Sequence, residues 1–232
     1  MTLDNSSAVR LNKHLALQLG VSRREADNLI AKGKVEVNGT KATLGARFMV
    51  GDTIAVDQKL LPDNTTYEYI ALNKPIGYVC SRKQQGSSPT IYDLLPDKYH
   101  CLKPVGRLDR NSSGIILLSN DGDFAYRMTH PQFGKVKIYN IRLDSELAPL
   151  HQQMISDHGV QLDDGASQMQ LERMGATDRK SWIVTMKEGR NRQIRRTFSA
   201  LGYTVTKLHR TNFGNYALGD IKPGESKVVD IQ

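Results

Sequence analysis

Asp109 stands in Gly106-Arg107-Leu108-Asp109-Arg110-Asn111-Ser112-Ser113-Gly114, a polar stretch bounded by glycines that runs straight into Ile115-Ile116-Leu117-Leu118. A carboxylate there is held at the margin of an apolar core, where pre-organised active-site acids are commonly carried. Spacing alone favours a surface turn in which Asp109 pairs with Arg107 or Arg110. The other dense segment is Glu188-Gly189-Arg190-Asn191-Arg192-Gln193-Ile194-Arg195-Arg196. Several guanidinium groups at a helix start suit phosphate or carboxylate recognition, because arginine offers a planar fork of donors; a solvated basic face is the plainer alternative. His151 and His158 share a helical face by spacing, but no carboxylate or thiol joins them in a ligand pattern, so no metal is expected. Neither paired carboxylates with a metal nor a nucleophile with a base is found, which argues against a nucleic-acid hydrolase.

The elements that must position these groups fall into two parts. Leu11, Leu15 and Leu19 recur on one helical face and Gly20 follows as a stop. Ser22-Arg23-Arg24-Glu25 is a capping box that opens a second helix burying Ala26, Leu29 and Ile30 and ending at Gly33. Val35 and Val37 then alternate with polar neighbours, Asn38-Gly39 supplies a tight hairpin turn, and Thr53 to Val56 reads as a further strand. Residues 1–61 are thus expected to form a small unit, 62–68 a linker around Pro62-Asp63-Asn64-Thr65-Thr66, and 69–232 a larger domain. In the latter, strands are expected at Tyr69 to Leu72, Ile115 to Leu118 and Trp182 to Met186, with a turn enforced by Pro75 and Gly77. Helices are expected from Phe124 to Thr129, from Glu146 to His158 with Ser145 as cap and Gly159 as stop, and from Arg192 to Leu201 with Asn191 as cap and Gly202 as stop. Strands outnumber helices without alternating strictly, which argues an α+β fold.

A formal charge of +8 favours a polyanionic partner, since lysine and arginine displace condensed counterions from a phosphate backbone. The longest purely apolar run is Ile115 to Leu118, far below the roughly 20 residues of a membrane helix, and Met1 to Ser7 is polar, without the apolar core of a signal peptide. A cytoplasmic protein is therefore expected, with Cys80 and Cys101 as reduced thiols.

Two resemblances sharpen this reading. Arg10-Leu11-Asn12-Lys13, Gly20 to Ala26 and Gly33-Lys34-Val35 with Val37-Asn38-Gly39 resemble the S4 RNA-binding domain, which implies phosphate contacts from Arg10, Lys13, Arg23 and Arg24. Leu72-Asn73-Lys74-Pro75 with Gly77, the Asp109 segment with Asn120-Asp121-Gly122, Lys137-Ile138-Tyr139 and the Glu188 to Arg196 segment resemble, in this order, the signature of the RsuA-type pseudouridine synthases. Gly159-Val160 with Leu162 and Asp164-Gly165 is a weaker match. The resemblance implies a synthase domain on a mixed, mainly antiparallel sheet with flanking helices, joined to the S4 domain, that isomerises uridine in ribosomal RNA. The large-subunit (23S) RNA is preferred; the same activity on 16S RNA, or an inactive RNA-binding or ribosome-assembly factor, are the alternatives. It implies Asp109 as the essential carboxylate, adding covalently or removing a sugar proton, with Arg195 paired to it and Tyr139 against the uracil ring. Leu208 would close the apolar side of the pocket; Arg210 would join the substrate-binding set, and Lys74, Arg107 and Arg192 would meet neighbouring phosphates. No cofactor, membrane or obligatory protein partner is implied, and a monomer is expected. Thr197 departs from the family, which often carries methionine there, and the sequence ends at Gln232 without the long basic tail of some large-subunit members.

Overall fold

The computed structural model describes residues 8–62, 66–82 and 86–231. Asp63, Asn64 and Thr65, at the middle of the expected linker, and Met1 to Ser7 lie outside the described residues. The chain divides into two compact units, residues 1–68 with 120–122, and residues 69–119 with 123–232.

The first unit runs β1 (Val9–Arg10), α1 (Leu11–Gln18), α2 (Arg23–Ala31), β2 (Val35–Val37), β3 (Thr40–Lys41), β4 (Arg47–Phe48), β5 (Ile54–Val56) and β6 (Lys59–Leu60). β1 pairs with β4, and β3-β2-β5-β6 form an antiparallel sheet. Leu11, Leu15, Ala26 and Ile30 of the helices pack on Val35, Phe48 and Ile54. Leu19 is exposed because α1 ends one residue before it. The capping box is formed: Ser22 Oγ accepts from the Glu25 amide at 3.1 Å, and the Ser22 amide donates to Glu25 Oε2 at 2.7 Å. Asn38 and Gly39 both take positive φ, 51° and 75°, the backbone that a two-residue hairpin turn needs to match strand twist.

The second unit runs β7 (Tyr69–Lys74), β8 (Lys103–Val105), β9 (Ser113–Ser119), α3 (Gly122–Thr129), β10 (Lys137–Leu143), α4 (Pro149–Gln153), β11 (Val160–Leu162), β12 (Gly165–Ser167), β13 (Gln170–Arg173), β14 (Ser181–Met186), α5 (Gln193–Ala200), β15 (Val205–Phe213), β16 (Tyr216–Ala217) and β17 (Ser226–Val228). Nine of these strands form one sheet, in the order β13-β14-β10-β15-β9-β7-β17, with β16 on β15 and β8 on β9. Every pairing in it is antiparallel except β15 with β9. Because side chains alternate along a strand, Leu72, Ile116, Leu118, Tyr139, Ile141 and Trp182 face one core with Phe198 of α5. Ala71, Ile115 and Leu117 face another with Phe124 and Met128 of α3. The continuous apolar run of β9 is thereby explained: both of its faces are buried.

This parallel pairing of β15 with β9 brings the end of the Asp109 loop against β15. A Cβ added at Gly114, whose φ is +108°, would lie 2.1 Å from the Arg210 carbonyl oxygen, so only glycine permits this approach.

Two expected helix starts are corrected. The helix after β10 begins at Pro149, not Glu146, and continues as a π-helical turn from Met154 to His158. Leu147 is drawn into the core, its amide donating to the Arg179 carbonyl at 3.1 Å, and Ser145 bonds Asp144 instead of a helix amide. Proline, with φ preset and no amide to satisfy, then takes the first helical position. At α5 the residue preceding the helix is Arg192, in a left-handed conformation with φ 48°, rather than Asn191. Among the described residues no helix is long and apolar enough to cross a membrane.

Candidate active site

The loop that carries Asp109 has its main chain bound from several directions. The Asp109 carbonyl accepts from the Ser112 amide at 3.0 Å, and the Arg110 carbonyl from the Gly77 amide at 2.8 Å. The Asn111 carbonyl accepts from Arg195 Nη2 at 2.8 Å, and the Ser112 carbonyl from Lys74 Nζ at 2.7 Å. On the other side Leu108 is buried, and its amide and carbonyl meet Cys80 Sγ at 3.4 and 3.3 Å. Four consecutive carbonyls are thus each taken by a different donor, which fixes the backbone from which Asp109 projects. Such pre-organisation removes conformational freedom before any substrate arrives.

Lys74 is fully buried, and its ammonium also donates to the Pro75 carbonyl at 3.0 Å. It is therefore not placed to meet a phosphate, as had been expected; it clamps the loop. Burial pushes its pKa down to about 8, an effect opposed by Cys80 and Asp109.

Arg195 also differs from expectation. Its guanidinium donates to the carbonyls of Val205, at 2.6 Å, and Asn111. Among the described residues the ion pair of Asp109 is instead with Arg192, Nη1 to Oδ2 at 3.5 Å, with both side chains substantially exposed. Arg195 still feels Asp109: burial and Arg192 lower its pKa, and Asp109 opposes them. The exchange follows from the left-handed Arg192, which turns its side chain toward the Asp109 loop while Arg195, a helical residue further on, lies under it.

The remaining arginines of the segment build the site. Arg190 Nη1 reaches Asp164 Oδ1 at 2.8 Å and the carbonyls of Asp164 and Gly165, while its Nη2 reaches the Ala166 carbonyl at 2.7 Å. Arg196 binds Asp164 Oδ2 at 2.7 Å and the Asn191 carbonyl at 2.9 Å. Beneath them buried Gln193, Ser167 and Thr197 are joined by hydrogen bonds, Gln193 to Ser167 and Thr197 to Ser167 and the Gln193 carbonyl, and Gln193 also reaches the partly exposed Glu188. Thr197 thus makes two hydrogen bonds inside the fold, which a methionine at this position could not make. The 188–196 segment was visible in the sequence as a charged site, but its pairing with the Asp164-Gly165 turn was not, and Ser167 was missed altogether.

Asp109, Arg107, Tyr139, Leu208, Arg210, Arg192 and Arg195 line one cavity of about 630 Å³. Its wall also carries Arg190 and the lysines 135, 137 and 187, against only Asp109 and Glu188 as acids. Tyr139 and Leu208 present a nearly buried aromatic and aliphatic surface. Arg210 is buried too: its Nε donates to the Ile115 carbonyl at 2.9 Å, and its guanidinium lies 4.7 Å from the Phe213 ring centre and 6.0 Å from that of Tyr139. Burial, followed by Arg210, lowers the pKa of Lys137. Arg107 is exposed at the rim. The cavity can hold a planar ring between apolar walls and an anion at its mouth, with one carboxylate held nearby. Among the described residues no group of three or more His, Cys, Asp or Glu could hold a metal ion.

In the first unit, Arg23 and Arg24 open α2 and Arg10 precedes α1, all exposed, with Lys13 partly so. Arg23 Nη2 donates to Asn12 Oδ1 at 3.2 Å, and Asn12 Nδ2 to Asp27 Oδ1 at 2.9 Å, which ties the two helices together on that side.

Comparison with known proteins agrees with this arrangement. Residues 68–200 match the RNA pseudouridylate synthase family and residues 9–54 match the S4 domain. A protein of Xanthomonas campestris named ribosomal large subunit pseudouridine synthase B is 36% identical over 90% of this chain and 44% of its own length. The protein of the same name from Bacillus subtilis is 32% identical over 94% of this chain and 91% of its own. The chain spans about half the length of the first curated relatives that it matches. A solved structure described as a pseudouridylate synthase superposes with a TM-score of 0.67 at 29% identity, covering 96% of each chain. With more than half of the sequence matching the synthase region and a relative aligned over nearly the whole of both chains, this protein belongs to the RNA pseudouridylate synthase family.

Proposed function

We propose that this chain isomerises uridine to pseudouridine in ribosomal RNA, of the large subunit, with Asp109 as the catalytic carboxylate. The observation that carries this reading is the Asp109 loop itself, immobilised through four consecutive carbonyls at the edge of a cavity walled by Tyr139 and Leu208 and ringed by cations. The reaction breaks the bond from ribose C1′ to uracil N1, turns the detached base, and joins C1′ to C5, whose proton is lost while N1, freed of the sugar, takes up a proton. Electrons and atoms balance without an oxidant, reductant or energy source, so no cofactor is required. What the reaction does require is a cavity that retains the free base after the nucleotide has left its stack.

In this reading Asp109 acts at the sugar as the glycosidic bond breaks, Tyr139 lies against the uracil ring, and Leu208 closes the apolar side. Arg192 and Arg107, exposed at the mouth, meet phosphates; Lys74 and Arg195 are positioning residues that hold the loop. Arg210 stiffens the floor of the cavity. Residues 1–61 form the S4 domain and contact the RNA backbone through Arg10, Lys13, Arg23 and Arg24, residues 62–68 link it, and residues 69–232 form the synthase domain. The chain acts in the cytoplasm, as a monomer, without an obligatory protein partner. The names of the relatives support the ribosomal RNA substrate, and the basic wall of the cavity supports the phosphate contacts at its mouth. The test is to map pseudouridine in the ribosomal RNAs of cells with and without the gene: one or more large-subunit positions should lose the modification, and an unchanged map would reject the assignment.

A further inference from the structure

Tyr126, His130 and Phe133 form a cluster of rings on the surface of the second unit. Tyr126 lies 4.7 Å from His130 and 5.6 Å from Phe133 between ring centres, and His130 lies 6.4 Å from Phe133. Tyr126 is 48% exposed and Phe133 39%. Exposed rings gathered in one place call for an explanation that single exposed apolar residues do not.

The cluster is built rather than incidental. Phe124 and Met128, on the opposite side of α3, are buried in the core, which turns Tyr126 outward. The Tyr126 carbonyl accepts the His130 amide at 2.9 Å, placing the two rings one turn apart. Pro131 opens a short 3₁₀ turn, His130 Nδ1 accepts from the Gln132 amide at 3.3 Å, and Gly134 closes it in a left-handed conformation. The turn folds Phe133 back onto Tyr126, so the rings are in place before any ligand comes and little ordering is left to oppose binding.

Its surroundings indicate the ligand. His130 and Pro131 line the cavity of Asp109, along with Lys135 and Lys187, and Arg127 is exposed on α3 beside Tyr126. Exposed rings flanked by cations suit single-stranded nucleic acid: bases stack on the rings and phosphates meet the charges. We propose that the Tyr126–His130–Phe133 cluster is a stacking subsite for an unpaired base next to the target uridine. This inference rests on the RNA-modifying function proposed above.

The test uses the full chain and two short RNAs of equal length, one single-stranded with a fluorescent base analogue beside the uridine, the other a blunt duplex. Replacing Tyr126→Leu and Phe133→Leu together keeps apolar bulk and removes the rings, while Tyr126→Phe with Phe133→Tyr keeps them. The leucine pair should bind the single strand about tenfold more weakly, lose the quenching of the analogue, and raise KM more than it lowers kcat, with duplex affinity unchanged. The ring-keeping pair should restore all three. Undiminished affinity and quenching in the leucine pair, or an equal loss on the duplex, would overturn the subsite alone. Failure of the unaltered chain to bind either RNA would overturn the underlying function as well.

Discussion

The two basic regions of this protein use the same residue type in opposite ways. In the first unit Arg10, Arg23 and Arg24 stand exposed around the helix starts, and Arg23 donates to Asn12 of the neighbouring helix. In the 188–196 segment Arg190, Arg195 and Arg196 are taken up by backbone carbonyls and by Asp164, and of the four arginines only Arg192 is left at the cavity mouth beside Asp109. Charge density along a sequence therefore does not count the groups offered to a ligand. A guanidinium with five donors can brace a loop as readily as it can bind a phosphate.

The sharpest way to break this comparison is Arg195→Met. It leaves the Asn111 and Val205 carbonyls without their donor, so it should cost about 2–3 kcal/mol of stability and slow turnover, as read by urea denaturation and single-turnover kinetics. Unchanged stability with normal turnover would show that Arg195 does not brace the loop. Lys74 offers a pH-resolved version. Its pKa is lower in the folded chain, down to about 8, so the unfolded chain holds more protons between that value and the ordinary lysine range. Stability contributed by this group should therefore rise with pH above about 8 and stay flat below it. The difference in unfolding free energy between the natural chain and Lys74→Met should shift by about 2–3 kcal/mol between neutral and strongly alkaline pH; a pH-independent difference would show that the ammonium is not desolvated. Arg192→Gln should change stability by less than about 0.5 kcal/mol, because its ion pair is exposed. The same change should lower the salt slope of single-stranded RNA binding by about 0.7 for one lost phosphate contact. A large loss of stability would move Arg192 into the bracing group. Arg23→Ala with Arg24→Ala should lower the slope by about twice that amount with folding intact, and an unaltered slope would remove the first unit from the RNA contact.

What the sequence disclosed depended on how local the physics was. The Ser22 capping box, the Asn38-Gly39 turn and the buried strand from Ile115 to Leu118 are set by residues adjacent in the chain, and each is found in place. The Asp109 loop was legible as a site only through the order of its motifs, since spacing alone also fits a surface turn, and the cavity gathers Asp109, Tyr139, Leu208 and Arg195 from four separate segments. Lys74 was misread because an exposed and a fully buried lysine look alike in sequence; its burial comes from β9 and the loop folding over it. The start of α4 was misread because Leu147 is pulled into the core, a tertiary preference that outweighs a plausible serine cap. Asn191 lost its expected place at α5 because the left-handed turn falls at Arg192, which the residue's own propensity does not favour.

The central assignment is the carboxylate at position 109. Purified natural chain and Asp109→Asn should be compared on unmodified large-subunit ribosomal RNA, scoring pseudouridine by position and RNA affinity in parallel. The natural chain should form pseudouridine and the variant none, with affinity unchanged; pseudouridine formed by the variant at a comparable rate would contradict the assignment.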